Sequence, residues 1–562
     1  MLTPDEVMQL IGSLIWLLAG VGVFIVGMNF MSEALEKSAS SGMKKLLEKI
    51  SNNRFSGVGI GAGVTAIIQS SSATSVMVIG LVNAGVMSLM QATPIIMGAN
   101  IGTTITGVLV ALKNDYFNMA MYLLAFAGVM MGFAKKEQVK IAGKLCSGLG
   151  LIFVGLEVMS SQQAFGNPLV EKMFTSIFQT INFPLLLILV GIVFTALIQS
   201  SSASTGVVIT MVGTGVLPLD LALFIILGAN IGTCVTALLA SVGANANSKR
   251  VAFIHFTFNL IGTVLFTIFI WIFKNPVVNL LTSLFPGTDQ MALQMRVSLF
   301  HVVFNVTTTL VLLPFVKQLV GLSRLIIKDK PTTEQTLSLK FVDDRLLSTP
   351  PIALMQVKKE IDYMLDLVQQ NLALCFVSVE TGSQKQDEQI RTNEKLINFT
   401  NSALTEFLIK LSATSIEQRD EKVIGSYFHV LNDLERIGDH AENFHEIGLE
   451  MSDKGLAFSE LAIGEIASMR AKVAEMLVIS KDAFDKANKK KLKTLTSLEE
   501  DVDTLKKDLT AVHFARLAEG DCSPSASPYY SSIILGLERV ADHLVNIGYS
   551  IVNPTGSQKK SK

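Results

Sequence analysis

The chain has 562 residues, of which half are hydrophobic and only 17% are charged, and its mean hydropathy is +0.48. This composition is too apolar for an average soluble protein. A formal net charge of −1 gives no indication of nucleic-acid binding. The four cysteines lie far apart without metal-type spacing, which argues against a disulfide framework.

The hydropathy is uneven along the chain. Residues 1–320 are mostly long hydrophobic runs, residues 321–349 read as a basic and polar linker, residues 350–552 are charged and amphipathic, and residues 553–562 form a polar tail. This pattern predicts a polytopic membrane domain followed by a soluble domain. The first hydrophobic run is too long for a signal peptide and lacks a basic leader, so we expect residues 9–31 to be a retained span.

Hydrophobic runs of spanning length alternate with interrupted ones in the membrane half. The strong candidates for membrane spans lie at about 9–31, 117–134, 141–162, 251–274 and 297–316. Two further regions, at about 56–111 and 181–243, are apolar but broken by Gly, Ser, Asn and Pro. Since unwound backbone is costly in hydrocarbon, such breaks are expected only where the chain is buried in protein or lines a wet cavity.

The two broken regions carry the same motifs at the same spacing. A Gln-Ser-Ser-Ser-Ala stretch occurs at 69–73 and again at 199–203. Each is followed, 29 positions after its Gln, by Gly-Ala-Asn-Ile-Gly-Thr, at 98–103 and 228–233. The membrane half is therefore an internal duplication with a period of about 130 residues, with repeat 1 at about 9–134 and repeat 2 at about 141–316.

The distribution of basic residues predicts that the repeats are inverted. Lys and Arg collect in segments 37–54, 135–144, 249–250 and 317–330, which we place on the cytoplasmic side. The first span then runs inward, whereas its repeat partner starts inside and runs outward. For the two repeats to have opposite orientations, each broken region must cross the membrane an odd number of times. A re-entrant hairpin that carries the Gln-Ser-Ser-Ser motif plus one full crossing satisfies that count, and other odd arrangements remain open.

Inverted repeats with broken helices are typical of secondary transporters. A broken helix points free N–H groups at one place, which suits anions, and free carbonyls at another, which suits hard cations such as sodium. The candidate spans contain no Lys or Arg in their interiors. An anion bound there would be held by dipoles, hydroxyls and a co-bound cation. The alternative is that the Ser and Thr hydroxyls only bond to the preceding turn or allow close helix packing.

The paired motifs resemble those of the type II sodium–phosphate cotransporter family, over about residues 10–320. The resemblance implies that inorganic phosphate and sodium bind at the two Gln-Ser-Ser-Ser regions. The implied substrate and ion ligands, with plausible neighbours, are Gln69, Ser70, Ser71, Ser72, Thr74, Ser75, Asn100, Thr103, Gln199, Ser200, Ser201, Ser202, Ser204, Thr205, Asn230 and Thr233. One position breaks the symmetry, since Thr104 is matched by Cys234 and a thiol is a poor sodium ligand.

Two His-x-x-x-Asn pairs also occur in the membrane half, His255/Asn259 and His301/Asn305. Their i,i+4 spacing places each pair on one helix face. We expect these side chains to form hydrogen bonds between helices.

The soluble half shows a second duplication, within a pattern of long amphipathic helices. Leu-Glu-Arg-Ile-Gly-Asp-His at 434–440 recurs as Leu-Glu-Arg-Val-Ala-Asp-His at 537–543, about 100 residues later. This spacing predicts two tandem three-helix bundles, so the whole chain is predicted to be all-α.

The duplicated motif resembles the PhoU family of helical regulators, over about residues 350–550. Some members of that family hold iron or zinc clusters, which implies metal ligands at Glu435, Asp439, Glu538 and Asp542. The alternative is a solvated face with surface ion pairs of little energetic value. The basic stretch 486–493 could contact anionic lipid, although such runs are more often solvated helix ends.

Together, these features predict a sodium-coupled phosphate transporter in the cell (inner) membrane with a cytoplasmic regulatory domain. That domain would sense metal, phosphate or a regulatory protein partner. The sequence lacks a Gly-rich phosphate loop, a nucleophile elbow and an HExxH motif, so we do not expect an enzyme. The alternatives left open are a membrane-anchored signalling protein without flux, an exporter of phosphate, and a transporter of sulfate or organic phosphates.

Overall fold

The computed structural model describes residues 3–48, 53–112, 115–181, 183–329, 337–414, 416, 418–486 and 489–550. Within these residues the chain forms helices and no strand, which confirms the all-α prediction. The chain divides into two compact units, Met1–Pro331 and Thr332–Lys562, which we call the membrane unit and the helical unit.

The membrane unit contains long helices that alternate with pairs of shorter ones. Its helices are α1 (Pro4–Glu48), α2 (Arg54–Ile68), α3 (Ser71–Asn83), α4 (Leu89–Ala111), α5 (Asp115–Met131), α6 (Glu137–Ser160), α7 (Pro168–Thr180), α8 (Pro184–Ile198), α9 (Ser201–Gly213), α10 (Leu219–Ala240), α11 (Ala246–Leu284), α12 (Gln290–Leu312) and α13 (Val316–Ile326). Six helical segments among the described residues are long and apolar enough to cross a membrane: Pro4–Ser38, Leu89–Ala111, Glu137–Ser160, Leu219–Ala240, Ala246–Leu284 and Gln290–Ile326.

The first helices of the two repeats, α1 and α6, pack against each other in opposite directions. Gly20, early in α1, lies against Gly155, late in α6. Gly27, about two turns further along α1, lies against Gly148, which is earlier in α6. Because α1 and α6 are repeat partners, their antiparallel packing means that the two repeats have opposite orientations, as predicted.

The first broken region is a re-entrant hairpin followed by a full-length helix. Gly57, at the start of α2, meets Pro94 in the first turns of α4. Gly102, later in α4, meets Thr65, near the end of α2. Helices α2 and α4 therefore run in the same direction, and α3, which connects them, must run back. The Gln-Ser-Ser-Ser motif lies at the tip of the α2–α3 hairpin.

The second broken region repeats this arrangement with α8, α9 and α10. Gly191, in the middle of α8, meets Ile225, and Gly232, further along α10, meets Thr195 near the end of α8. The second Gln-Ser-Ser-Ser motif consequently lies at the tip of the α8–α9 hairpin.

Basic residues from segments far apart in the sequence meet at one end of the membrane unit. Arg54, at the start of α2, donates to the carbonyl oxygens of Leu313 and Pro314 at 3.3 and 3.0 Å. Arg250 donates to the carbonyl oxygen of Ile327 at 3.0 Å, just beyond the end of α13. These contacts place three of the four basic segments at a common end, in agreement with the charge pattern.

The two hairpins enter from opposite ends of this unit. Helix α3 ends beside the start of α11, where Ser248 donates to the carbonyl oxygen of Ile79 at 3.1 Å, and this is the basic end. Helix α9 instead ends at Gly213, which packs against Gln294 in the first turns of α12. Since α12 reaches the basic end only at Leu312, the α8–α9 hairpin opens at the opposite end.

The helical unit consists of two three-helix bundles, as predicted. Its helices are α14 (Pro350–Thr381), α15 (Asp387–Ser412), α16 (Gln418–Asp453), α17 (Glu460–Lys486), α18 (Lys489–Glu519) and α19 (Ser527–Ser550). Helices α14–α16 pack on one another, α17–α19 do the same, and α16 packs on α19.

The segment expected to be a linker is partly built into the two units. Its first residues belong to α13, and residues 330–336 lie outside the described part. The backbone N–H groups of Lys340 and Phe341 donate to the carboxylate of Glu360 on α14, at 3.0 and 2.5 Å. Chain just before α14 is thus bound to the first bundle.

Close packing at Gly61 predicts that α2 tolerates no side chain there. A Cβ atom on Gly61 would lie 2.0 Å from the carbonyl oxygen of Ile95, whereas a Cβ on Gly59 meets nothing within 4 Å. We expect Gly61→Ala to destabilise the detergent-solubilised protein by about 1–3 kcal/mol, because α2 and α4 must separate. Gly59→Ala is the matched control and should leave the melting temperature unchanged or slightly higher. Equal melting temperatures for the two variants would contradict this packing.

Candidate functional site

Each hairpin is broken at a glutamine in the left-handed backbone conformation. Gln69 and Gln199 both have φ of 58°, and they are the non-glycine residues with positive φ in the described chain. Their N–H groups donate to the carbonyl oxygens of Thr65 and Thr195, both at 2.7 Å, and so end α2 and α8. This conformation is costly for a residue with a side chain, and such strain concentrates at functional sites.

The helix that follows each break begins with a serine cap. The hydroxyl of Ser70 accepts the N–H of Ala73 at 3.1 Å, and that of Ser200 accepts the N–H of Ala203 at 3.2 Å. The other N–H groups in the first turn of a helix have no partner within the helix, and they lie at the positive end of its dipole. Both α3 and α9 therefore present anion-favouring N-termini at the hairpin tips.

The two hairpin tips are joined by hydrogen bonds that cross between the repeats. Thr236 on α10 donates to the hydroxyl of Ser72 at 3.1 Å. In the equivalent contact, Ser202 donates to the hydroxyl of Thr106 on α4 at 3.4 Å. Thr106 also donates to the side-chain oxygen of Gln69 at 2.7 Å. Each tip thus touches the full-length helix of the other repeat, and the two motifs form one polar cluster.

Thr106 and Thr236 were missed by the sequence analysis. Each lies three residues after its Gly-Ala-Asn-Ile-Gly-Thr motif, at the same spacing in both repeats. Extending the repeat alignment by three positions would have paired them.

Three buried hydroxyls near this cluster have no hydrogen-bond partner among the described residues. They belong to Ser75, Thr205 and Ser298, each at most 2% exposed. A Cβ atom on Gly107 of α4 would lie 3.3 Å from the Ser298 hydroxyl and 3.7 Å from the Thr205 methyl group. A buried hydroxyl without a partner costs about 1–3 kcal/mol. Polar groups of this kind, beside two helix N-termini, suit a polar ligand.

The side chains of several predicted ligands donate hydrogen bonds to nearby backbone carbonyl oxygens. Thr103 and Thr233 donate to the carbonyl oxygens of Ala99 and Ala229, one turn earlier, at 3.1 and 3.0 Å. The hydroxyls of Thr74 and Ser204 likewise donate to Ser70 and Ser200, and Asn230 donates to Ile226. These hydrogen bonds leave the oxygen lone pairs of the hydroxyls able to contact a cation.

Asn100 forms a hydrogen bond between helices. Its side-chain amide donates to the Asn259 oxygen on α11 at 2.7 Å, which confirms an interhelical role for Asn259. Asn259 in turn donates to the Cys234 sulfur at 3.3 Å. Asn305 instead donates to the carbonyl oxygen of His301 within α12.

In the helical unit, the two repeated acidic motifs meet where α16 packs on α19. Within each motif the arginine lies beside its aspartate, with Arg436 at 3.5 Å from Asp439 and Arg539 at 3.8 Å from Asp542. The rings of the following histidines, His440 and His543, have their centres 6.1 Å apart.

Further carboxylates face the predicted metal ligands from the neighbouring helices. Burial, together with Glu442 and Asp439, raises the pKa of Glu394 on α15 to about 7. Burial, together with Asp503 and Asp542, raises the pKa of Glu499 on α18. Crowded carboxylates with raised pKa values favour a bound cation. Glu394 lies on the second helix of the first bundle and Glu499 on the second helix of the second bundle, and the sequence analysis missed both.

The predicted ligands are not preassembled around a single metal position. Within the described residues, no group of three or more His, Cys, Asp or Glu side chains is arranged to hold a metal ion. Lys506 also lies 2.9 Å from Glu538 and partly neutralises it. The carboxylate chemistry of the set fits a metal, and binding would require these side chains to rotate.

Ser378, His445 and Asp387 have the connectivity of a hydrolase triad. His445 bonds to the Ser378 hydroxyl at 2.8 Å and to Asp387 at 2.9 Å. Ser378 is 0% exposed and His445 2% exposed, so no substrate reaches the hydroxyl. These residues join α14 to α15 and α16 and have a structural role.

The contact between Ser72 and Thr236 predicts that paired cysteines will crosslink there. We expect Ser72→Cys/Thr236→Cys to form a disulfide on mild oxidation, because the native hydroxyls are 3.1 Å apart. Peptide mapping by mass spectrometry detects the bond and separates it from native Cys234. The control is Ser72→Cys/Thr93→Cys. Thr106 on α4 contacts the tip that carries Ser72, through Gln69, and Thr93 lies about 20 Å from Thr106 along the same helix. If neither pair crosslinks, or if both crosslink equally, the result would contradict the contact between the α2–α3 hairpin tip and α10.

Comparison with known proteins assigns both units to families. The Na+/Pi-cotransporter family model matches residues 23–161 and again residues 162–289. The PhoU domain model matches residues 361–447 and 466–551. Each model thus matches twice, in agreement with the two internal duplications.

Relatives share either the whole architecture or part of it. "Putative inorganic phosphate export protein YjbB" of Escherichia coli strain K12 is 25% identical over 551 residues, which cover 96% of this chain and 97% of that protein. "Uncharacterized protein YqeW" of Bacillus subtilis is 31% identical over 309 residues, 55% of this chain and 96% of that protein. "Sodium-dependent phosphate transport protein 2C" of Mus musculus is 46% identical over 84 residues, 14% of each chain.

No solved structure matches the chain significantly. The two matches of each family model nevertheless agree with a duplication within each unit. The chain is a multi-pass membrane protein that belongs to the Na+/Pi-cotransporter family and carries a C-terminal pair of PhoU domains.

Proposed function

We propose that the chain is a secondary transporter that couples sodium to the movement of inorganic phosphate, through one site built by both hairpin tips. The proposed ligands at this site are those predicted from the sequence, Gln69–Ser72 and Gln199–Ser202 with their neighbours, joined by Thr106 and Thr236. The observation that supports this proposal most directly is the pair of equivalent contacts across the inverted repeats, Ser72 with Thr236 and Ser202 with Thr106.

The electrostatics of the site favour coupling to a cation. The membrane unit's Arg54, Arg250 and Arg296 donate to backbone carbonyls near helix ends, away from the hairpin tips. Phosphate would therefore be held by helix N-termini and hydroxyls, and a sodium ion bound nearby would balance its charge. We expect unequal sodium sites in the two halves, because Cys234 replaces the hydroxyl of Thr104.

The relatives favour export as the physiological direction. The Escherichia coli protein that aligns with nearly the whole chain carries the name "Putative inorganic phosphate export protein YjbB". A cytoplasmic helical unit would suit an exporter, because it could sense excess phosphate on the side from which phosphate leaves. The basic end of the membrane unit would then face the cytoplasm. The direction in vitro would follow the combined gradients.

The helical unit is proposed to regulate the flux. Glu435, Asp439, Glu538 and Asp542, with Glu394 and Glu499 beside them, would hold iron or zinc at the acidic motifs. A bound metal would supply positive charge that fixes these carboxylates and the α16–α19 contact. Anionic lipid at residues 486–493 and a regulatory protein partner are further proposed contacts of this unit.

Flux through the purified protein should depend on sodium and on both hairpin tips. We expect radiolabelled phosphate to cross proteoliposome membranes at least about tenfold faster with a sodium gradient than without one. Ser71→Ala/Ser201→Ala should abolish most of this flux, because it removes the hydroxyl at the first residue of α3 and of α9. Loading phosphate inside or outside the vesicles measures both directions.

The control for this experiment is Thr93→Ala/Thr210→Ala, which removes two buried hydroxyls that, within the described part of the chain, donate to carbonyl oxygens of their own helices. It should retain flux near the wild-type value. Phosphate binding without flux under any ion gradient would favour the signalling alternative. Flux that competes better with sulfate or organic phosphates would reassign the substrate, and sodium-independent flux would contradict the coupling.

Metal binding at the acidic motifs gives a separate prediction. We expect the purified protein, incubated with iron or zinc and desalted, to retain metal as measured by inductively coupled plasma mass spectrometry. Asp439→Asn/Asp542→Asn should lower the retained metal by more than half, because each substitution removes a carboxylate from one motif. Glu450→Gln, on the exposed end of α16 beside Lys454, is the control. Equal metal contents in all three proteins would contradict the proposal.

A further inference from the structure

A cavity of about 230 Å³ lies within the second bundle, between α17, α18 and α19. It is smaller than the roughly 300–1,000 Å³ typical of sites for drug-sized ligands, so it fits a small ligand with a few waters. Its polar lining comes from Ser459, His513, Arg516, Ser523, Ser527 and Tyr530. The acidic motifs do not line it, and neither does any residue of the hairpin tips.

Two residues that line this cavity each have a buried nitrogen without a hydrogen-bond partner among the described residues. His513 is 4% exposed, and its Nδ1 has no hydrogen-bond partner among the described residues. Its Nε2 lies 2.8 Å from the hydroxyl of Ser527. When Ser527 donates to Nε2, the proton of the neutral ring is on Nδ1, which then needs an acceptor. Burial, with Arg516 nearby, lowers the pKa of His513, which disfavours the protonated ring.

Arg516 supplies the second of these nitrogens. Its Nη2 donates to Glu465 at 2.6 Å, and Glu465 also accepts the Tyr530 hydroxyl at 2.7 Å. The buried Nε has no partner among the described residues. The ion pair holds the guanidinium of Arg516, a residue of the cavity lining. Leaving such a donor unpaired is costly, and an acceptor on a ligand would satisfy it.

Two helix N-termini also converge on the cavity. Ser459, which caps α17 by accepting the N–H of Ala462 at 3.2 Å, lines one side. Ser527, the first residue of α19, lines the other. Their positive dipole ends add to the donors of His513 and Arg516. Asp521 is the carboxylate in the lining, and it is exposed at the rim.

We propose that this cavity is a binding site for a small phosphoryl anion, separate from the transport site and from the acidic motifs. The Arg516 Nε–H, the His513 Nδ1–H and the hydroxyls of Ser459 and Ser523 would donate to its oxygens. The anion would bridge α17, α18 and α19 at one end of the second bundle. Its source is either free inorganic phosphate or the phosphate group of a small monoester. This site would let the helical unit respond to phosphate independently of flux.

Cys522 lines the same cavity and reports its occupancy. In the purified full-length protein, we expect inorganic phosphate to slow alkylation of Cys522 by N-ethylmaleimide about fivefold, as followed by peptide mass spectrometry. Cys146 in the membrane unit is partly exposed and serves as the internal control, with an unchanged rate. The same protection should occur in Ser71→Ala/Ser201→Ala, so failure of the transport proposal would not affect this test.

A charge placed at the rim should weaken binding without disturbing the fold. Ser523 lines the cavity and is exposed, and Ser525 in the same turn is exposed but does not line it. We expect Ser523→Asp to raise the half-protecting phosphate concentration about tenfold through like-charge repulsion. Ser525→Asp is the matched control and should behave as the wild type. Arg516→Gln should also weaken protection, but it breaks the ion pair with Glu465 and is secondary.

Glycerol 3-phosphate, tested beside inorganic phosphate, separates the two sources. Stronger protection by the ester would identify a phosphomonoester as the ligand, whereas stronger protection by phosphate would identify the free anion. The proposal is overturned if neither anion protects Cys522. It is also overturned if Ser523→Asp and Ser525→Asp change the half-protecting concentration equally.

Discussion

The membrane unit depends on finding partners for the backbone N–H and C=O groups that are left free where two helices break inside apolar sequence. Gln69 and Gln199 end their helices in a left-handed conformation, and the serine that follows each of them caps the next helix. Free N–H groups at such breaks are tolerated in a membrane only when protein or a wet cavity surrounds them. The rest of the unit supplies that surrounding: glycines let α4 and α10 pack closely on α2 and α8, and threonines from these helices reach the opposite tips.

Inversion of the repeats explains how two motifs would build the one proposed site. If the hairpins entered from the same end, equivalent residues would lie side by side and face the same direction. Entry from opposite ends instead makes the tips meet, so that Ser72 and Ser202 each contact the threonine of the other repeat. A site with this pseudo-symmetry can open to either end by equivalent movements, which is the basis of alternating access. The symmetry is broken locally at Cys234.

Much of the fold follows from patterns readable in the sequence, because duplication makes weak signals repeat. The motif spacing predicted the duplication and the basic segments predicted the inversion, whereas a hairpin at each motif was one of several arrangements that fitted the crossing count. The threonines at 106 and 236 were not predicted, since single hydroxyls in a helix usually bond to the preceding turn and only the crossing of α4 and α10 reveals their partners. Glu394 and the cavity beside His513 were missed for a similar reason: both depend on contacts between helices, which periodicity does not encode.

The central claim is that the two repeats share one site, and a double-mutant cycle on phosphate transport tests it most directly. Ser72→Ala and Thr236→Val would be measured singly and together for sodium-driven phosphate uptake and its KM. A shared site predicts a coupling free energy of about 0.5 kcal/mol or more between the two substitutions, as for residues in contact. A control cycle of Ser72→Ala with Thr93→Ala should be additive. Additive effects of Ser72→Ala and Thr236→Val would contradict the account, because they would mean that the repeats act as separate sites.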